Sequence, residues 1–292
     1  MKLVDTLVLE ASAERCASSS LAWGTKIIMN FVTVTCSTDF DAMLLQASSL
    51  EFVIDNITHF VIIQDSKIEL EQWQSALSPY YTRHTLVLIQ NDLVLKCDGW
   101  RQQQILKLEI AKKVNTESYL VLDSKNFFIK PFNISDWDID HGNGSLFLYV
   151  KNNKERLDVD IFLEKASVKY NKTIPKLHID YMTPYKLNTA IVNTIINTDY
   201  KSLFFEYELP SEFALYNMFL SSSEIIKSNK SKNRLVLNYF KSLPTEIHKT
   251  TYVLGIHRRL VIEENKNKLN NLIEVLSLKG LDKHLLSKYL GV

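Results

Sequence analysis

The residues best suited to chemistry form one short polar run. Asp123-Ser124-Lys125-Asn126 interrupts two apolar extended stretches, Tyr119–Leu122 and Phe127–Ile129. A polar break between apolar strands is a bend that exposes its side chains, so a carboxylate and an ammonium reach solvent together. The carboxylate can accept hydrogen bonds or a proton, and the ammonium can meet a phosphate. Phe127 and Phe128 are read as core. Cys36-Ser37-Thr38-Asp39, Asp65-Ser66 and Asn91-Asp92 follow apolar runs in the same way. Asp39 and Asp65 there are read as turn formers or helix caps, because a single Asp after a strand commonly plays that part. His257, followed by Arg258 and Arg259, ends the apolar run Tyr252–Ile256. For this cluster two readings stand, a diphosphate-binding strand end and a solvated basic turn.

These positions matter because of the elements that carry them. Short apolar, β-branched or aromatic runs at 30–36, 59–64, 85–90 and 118–123 read as strands. Helical patterns separate them at 40–55, 67–77 and 100–114. Such alternation predicts an α/β fold with a mostly parallel sheet flanked by helices. In open sheets of that kind ligands bind outside the carboxyl ends of the strands, where the polar residues above fall. On the 100–114 helix Leu106, Ile110 and Val114 form a buried stripe, and Gln103 and Lys107 share a neighbouring strip. The second half reads as a strand at 145–150, helices at 185–198 and 211–221, a strand at 251–256, and helices at 264–278 and 281–289. The run 221–233 is the expected mobile loop. Residues 1–28 lack a clear amphipathic stripe and are read as an extension or a remnant of cloning. The domain is expected to span 29–262, and 263–292 to form a helical C-terminal appendage.

Composition narrows the function. Hydrophobic residues make up 46% of the 292-residue chain and charged residues 23%, which suffices for a full core and excludes disorder. Lys plus Arg total 34 against 33 Asp plus Glu, a net charge of +1 that gives no global electrostatic case for nucleic acid. The chain holds 7 glycines, and no Gly-x-x-x-x-Gly-Lys-Ser/Thr, complete Gly-x-Gly-x-x-Gly, Gly-x-Ser-x-Gly or His-x-x-x-His motif. Its 3 cysteines show no paired spacing, so a reducing compartment fits. With no secretory pattern and no apolar run of transmembrane length, a cytoplasmic location is expected, with at most peripheral contact at the inner face of a membrane.

Several motifs in order resemble one family. Gln103-Gln104-Ile105-Leu106-Lys107-Leu108 is followed by Tyr119-Leu120-Val121-Leu122-Asp123-Ser124-Lys125-Asn126, then Phe128-Ile129-Lys130-Pro131-Phe132. Met182–Tyr185, Ser211–Tyr216 and Gly255–Arg259 come later. Together, over roughly residues 30–260, these resemble the DUF6492 family of capsule- and lipopolysaccharide-associated glycosyltransferase-like bacterial proteins. The resemblance implies a GT-A-like fold and a cytoplasmic enzyme that moves a sugar from a nucleotide-sugar donor to a cell-surface polysaccharide or glycolipid. It implies donor-binding roles for Gln103, Lys107, Lys125, Asn126, His257 and Arg258, and catalytic roles for Asp123 and Glu212. Glu212, at a helix start, would be the base that deprotonates the acceptor hydroxyl. The alternative is a non-catalytic nucleotide- or sugar-binding relative, or another nucleotide-sugar-handling α/β enzyme. GT-A enzymes hold a divalent cation with Asp-x-Asp, but Lys125 occupies the second acidic position. An ammonium repels Mg²⁺ or Mn²⁺, so no metal ligand is assigned. Either Lys125 itself supplies the positive charge, or the site is degenerate and Lys125 pairs with a carboxylate.

Overall fold

A computed structural model describes residues 29–92, 97–134, 153–174, 183–207, 210–220, 236–239, 247, 251–256 and 266–292. The expected extension 1–28, the strand at 145–150 and the loop at 221–233 lie outside the described residues. The main sheet has five strands in the order β3-β2-β1-β4-β6. They are β1 (Asn30–Thr35), β2 (Thr58–Ile63), β3 (Thr85–Gln90), β4 (Ser118–Asp123) and β6 (Tyr185–Asn188). The first four run parallel and β6 pairs antiparallel with β4. A second sheet has the order β5-β8-β7, from β5 (Asn126–Phe128), β7 (Val236–Tyr239) and β8 (Val253–Ile256).

Helices cover both faces of the main sheet, so every residue of β1 and β2 is buried, polar ones included. On one face α1 (Phe40–Ser49) and α2 (Leu70–Leu77) pack over Val61 and Ile63. On the other, α3 (Gly99–Glu109), α4 (Asn153–Tyr170), α5 (Thr189–Ile196), α6 (Tyr200–Glu206) and α7 (Glu212–Phe219) enclose Val32, Val34, Phe60, Ile62, Tyr119 and Val121. The helix read at 185–198 is in fact β6 followed by α5. Tyr185 is drawn into the sheet edge because its ring stacks on Phe213 at 4.2 Å. The helix begins only where the Asn188 side chain accepts from the Ala190 and Ile191 amides. The patterns at 40–55 and 100–114 also end early, each closing in a 3₁₀ turn.

The last two helices, α8 (Lys266–Ser277) and α9 (Lys283–Leu290), bury Leu272, Ile273, Leu276, Leu285 and Leu286 in the same cluster as α1 and β8. Gly291 closes α9 at a φ of 70°, a left-handed turn that glycine adopts without strain. Leu286 is fully buried. Leu286→Ala is therefore expected to cost about 2–5 kcal/mol, seen as a lower urea midpoint of a single transition. A separate transition for the C-terminal helices would contradict a shared core.

Candidate functional site

The strand order fixes where a ligand fits. From β1 the chain moves outward through α1, β2, α2 and β3, then α3 returns over the opposite face to β4 on the other side of β1. The carboxyl ends of β1 and β4 thus lie side by side at the point where the strand order reverses, the place where open α/β sheets hold their ligand crevice, with Cys36–Asp39 on one side of it and Asp123–Asn126 on the other. Ser124 Oγ donates to Asp39 Oδ2 across it at 2.7 Å. Asp65, just beyond β2, accepts from the Ser37 amide at 3.1 Å and its hydroxyl at 2.8 Å. Asp65 therefore secures the turn after β1. Asp39 occupies the N-cap position of α1 without making the side-chain cap bond; its carboxylate serves Ser124 instead.

At the crevice wall, one buried lysine joins two carboxylates. Lys107 Nζ lies 3.2 Å from Asp123 Oδ1 and 3.2 Å from Glu212 Oε1. Lys125 Nζ stands 3.8 Å from Asp123 Oδ2. Exposure separates the roles: the side chains of Lys107 and Glu212 are 8% and 5% exposed, those of Asp123 and Lys125 29% and 27%. A ligand in the crevice can reach the second pair and not the first. α3 carries Lys107 up to the strand end, and Tyr119 donates to its backbone carbonyl at 2.9 Å. α7 is capped by Ser211, which accepts from the Ala214 amide, and its first residue is Glu212. Gln104 Oε1 accepts from the Glu212 amide at 3.1 Å.

The charges follow from this packing. Burial works against the Lys107 ammonium, but Asp123 and Glu212 hold it protonated well above the ordinary lysine range. Burial also opposes ionisation of Asp123; Lys107, Lys125 and a hydrogen bond from Thr183 nonetheless hold its carboxyl well below the usual carboxylate range. Glu212, the more enclosed acid, is pushed up by burial against the pull of Lys107. Two carboxyl groups and two amino groups thus make up the cluster.

Of the residues expected from sequence, the structure brings Asp123, Glu212, Lys107 and Lys125 together. Gln103 is half-buried one turn before Lys107. Asn126 is buried, and its Oδ1 accepts from the Asp123 amide at 2.8 Å, closing the turn rather than facing the crevice. His257 and Arg258 lie outside the described residues. Sequence reasoning missed Gln104, the second residue of the glutamine pair, and Thr183 beside Pro184, although both sit in motifs that marked the resemblance. It also missed Gln46, whose one signal is an amide inside the apolar stretch Ala42–Ala47.

A divalent cation does not fit this donor set. Both oxygens of Asp123 face ammonium groups, and among the described residues no group of three or more His, Cys, Asp or Glu side chains is placed to hold a metal ion.

Fold and crevice together define a mixed α/β protein of GT-A-like architecture, the fold of glycosyltransferases to which it is similar. The bifunctional glycosyltransferase WbbM in its apo form matches with a TM-score of 0.51 at 9% identity, over 87% of this chain and 50% of that one. The apo glycosyltransferase GlyE of Streptococcus pneumoniae TIGR4 gives 0.48 at 14% identity, over 90% and 63%. The galactosyltransferase LgtC, solved with donor and acceptor sugar analogues, gives 0.49 at 10%, over 90% and 95%. The chain thus spans half to under two-thirds of the first two. No curated protein sequence matches it. The chain belongs to the DUF6492 family, a family of unknown function whose model matches residues 26–239.

Two outcomes test the ion cluster. Lys107→Met leaves two acids without their shared counter-charge and is expected to destabilise by about 3–5 kcal/mol in urea unfolding. For Asp123 the folded pKa lies below the unfolded one, so its contribution to stability is present above the unfolded value. It is lost as pH falls through the carboxylate range toward the folded value. The stability advantage of wild type over Asp123→Asn should therefore shrink between about pH 7 and pH 3. An advantage that stays constant with pH would place Asp123 outside the ion cluster.

Proposed function

We propose that the protein is a glycosyltransferase that takes a nucleotide-sugar donor across the crevice between β1 and β4. The observation that carries this reading is a reachable carboxylate and ammonium, Asp123 and Lys125, side by side at the switch point of a glycosyltransferase-like sheet. Lys125 meets the donor diphosphate and offsets charge developing on the leaving nucleotide, the work a metal does elsewhere. Asp123 accepts a hydrogen bond from a hydroxyl of the donor. Its strongly depressed pKa makes it a poor proton acceptor, so it acts by charge and orientation. Glu212, expected from the sequence as the base, is enclosed and bound to Lys107; here it is a positioning residue that keeps Lys107 under Asp123. Gln103 borders the same strip, Asn126 shapes the turn, and His257 with Arg258 remain proposed phosphate contacts. The family resemblance supports a cell-surface polysaccharide or glycolipid as acceptor.

One observation favours a second reading, a non-catalytic nucleotide-sugar binder: the lysine at the second position of the metal motif is already paired with the first acid. A thermal-shift panel of UDP-, GDP-, CMP- and dTDP-sugars, with EDTA or with Mn²⁺, tests both, since ligands that bind the native state raise its melting temperature. One nucleotide class should stabilise the protein equally in EDTA. Lys125→Ala should weaken that donor about tenfold, the loss of roughly one charge-assisted hydrogen bond. Turnover of the donor separates transferase from binder. A strict requirement for Mn²⁺ or Mg²⁺, or no response to any nucleotide sugar, would overturn the proposal.

A further inference from the structure

A buried chain of hydrogen bonds crosses the sheet face opposite Lys107 and ends on the backbone of the Asp123 turn. Gln46, fully buried on α1, donates through Nε2 to the Asp123 carbonyl at 2.7 Å and the Asn126 carbonyl at 2.8 Å. Both partners only accept, so the amide orientation is fixed and Oε1 faces Thr33 on β1. Thr33 Oγ1 donates to Gln46 Oε1 at 2.8 Å. A hydroxyl has one proton, and this bond uses it. The 2.9 Å contact between Thr33 Oγ1 and His59 Nε2 must then be donated by the histidine. A neutral imidazole protonated at Nε2 has a bare Nδ1, and that atom lies 2.8 Å from the Tyr81 hydroxyl, which donates to it. Every link points the same way, from Tyr81 through His59, Thr33 and Gln46 to the turn.

We infer that Gln46, Thr33, His59 and Tyr81 form a one-directional positioning relay that clamps the Asp123–Asn126 turn and so aims Asp123 and Lys125 into the crevice. Gln46 spends both amide protons on the two carbonyls that flank Ser124 and Lys125, the residues between the last position of β4 and the first of β5. Asn126 completes the clamp by taking the Asp123 amide on its side chain. Burial supports the proton assignment: it lowers the His59 pKa to about 3, with His84 acting in the same direction, and it keeps the Tyr81 phenol protonated. His59 therefore stays neutral and in one tautomer through the physiological range.

The purpose of the turn rests on the glycosyltransferase reading, but the relay can be tested without any ligand. Amide hydrogen exchange of Asp123 is compared with that of Leu286, whose amide donates to the Asp282 carbonyl in α9. Thr33→Val removes the hydroxyl and Thr33→Ser keeps it. Exchange at Asp123 should quicken about tenfold in Thr33→Val relative to Thr33→Ser, as expected for a lost buried hydrogen bond, while Leu286 is unchanged. Should Thr33→Val fail to fold, Tyr81→Phe, which deletes only the terminal hydroxyl, carries the same comparison against wild type. Nitrogen-15 spectra of wild type should show His59 protonated at Nε2 alone and not titrating. Equal acceleration at Asp123 and Leu286 would reduce the relay to global stability, and no change at either would release the turn from it; each overturns the inference, as does a His59 protonated at Nδ1. A wild type that binds no nucleotide sugar would overturn the reading of the site and leave the exchange result standing.

Discussion

The buried ammonium of Lys107 constrains everything around it. Moving such a charge out of water costs several kcal/mol unless counter-charges surround it, and removing either partner leaves the other exposed to the same cost. Asp123 at the end of β4 and Glu212 at the start of α7 must therefore converge on one point of α3. Three elements distant in sequence are fixed relative to one another by that requirement. Neighbouring contacts reinforce it: Tyr119 holds the Lys107 carbonyl, Gln104 holds the Glu212 amide, and the Lys107 ammonium lies 5.5 Å from the Phe213 ring centre.

From this constraint the division of labour follows. Lys107 and Glu212 are sealed below the crevice, so they set the charge and aim of Asp123 without reaching a ligand. Lys125 keeps part of its side chain at the surface beside the second oxygen of Asp123. The turn that carries the exposed pair is held from two sides of the sheet, by ion pairs beneath α3 and by Gln46 from α1. A metal-dependent site keeps acidic oxygens free for a cation; here both Asp123 oxygens face ammonium groups of the chain itself.

Much of this was legible in the sequence because parallel strands buried on both faces read as short runs rich in apolar and β-branched residues. Strands at 30–36, 59–64, 85–90 and 118–123 match β1 to β4 closely. Asp123 was visible as the polar end of such a run, and Lys125 by its place in the turn. Other features depended on tertiary contact. Gln104 and Glu212 are 108 residues apart, and nothing local shows that they meet. Tyr185–Asn188 looked helical because its strand pairing comes from β4 and its ring packs on Phe213. Glu212 read as an accessible helix-start acid, since burial is not written in a cap motif. Gln46 passed unnoticed because one amide within an apolar stretch of helix has no periodic signature.

The most direct measurement is titration calorimetry of the stabilising nucleotide sugar against wild type, Asp123→Asn and Glu212→Gln at matched folded fraction. If Asp123 is the contacting carboxylate and Glu212 acts through Lys107, Asp123→Asn loses most of the affinity, by about tenfold or more, while Glu212→Gln loses less. Unchanged affinity in Asp123→Asn together with lost binding in Glu212→Gln would contradict the assignment and place the ligand against the acid that the structure encloses.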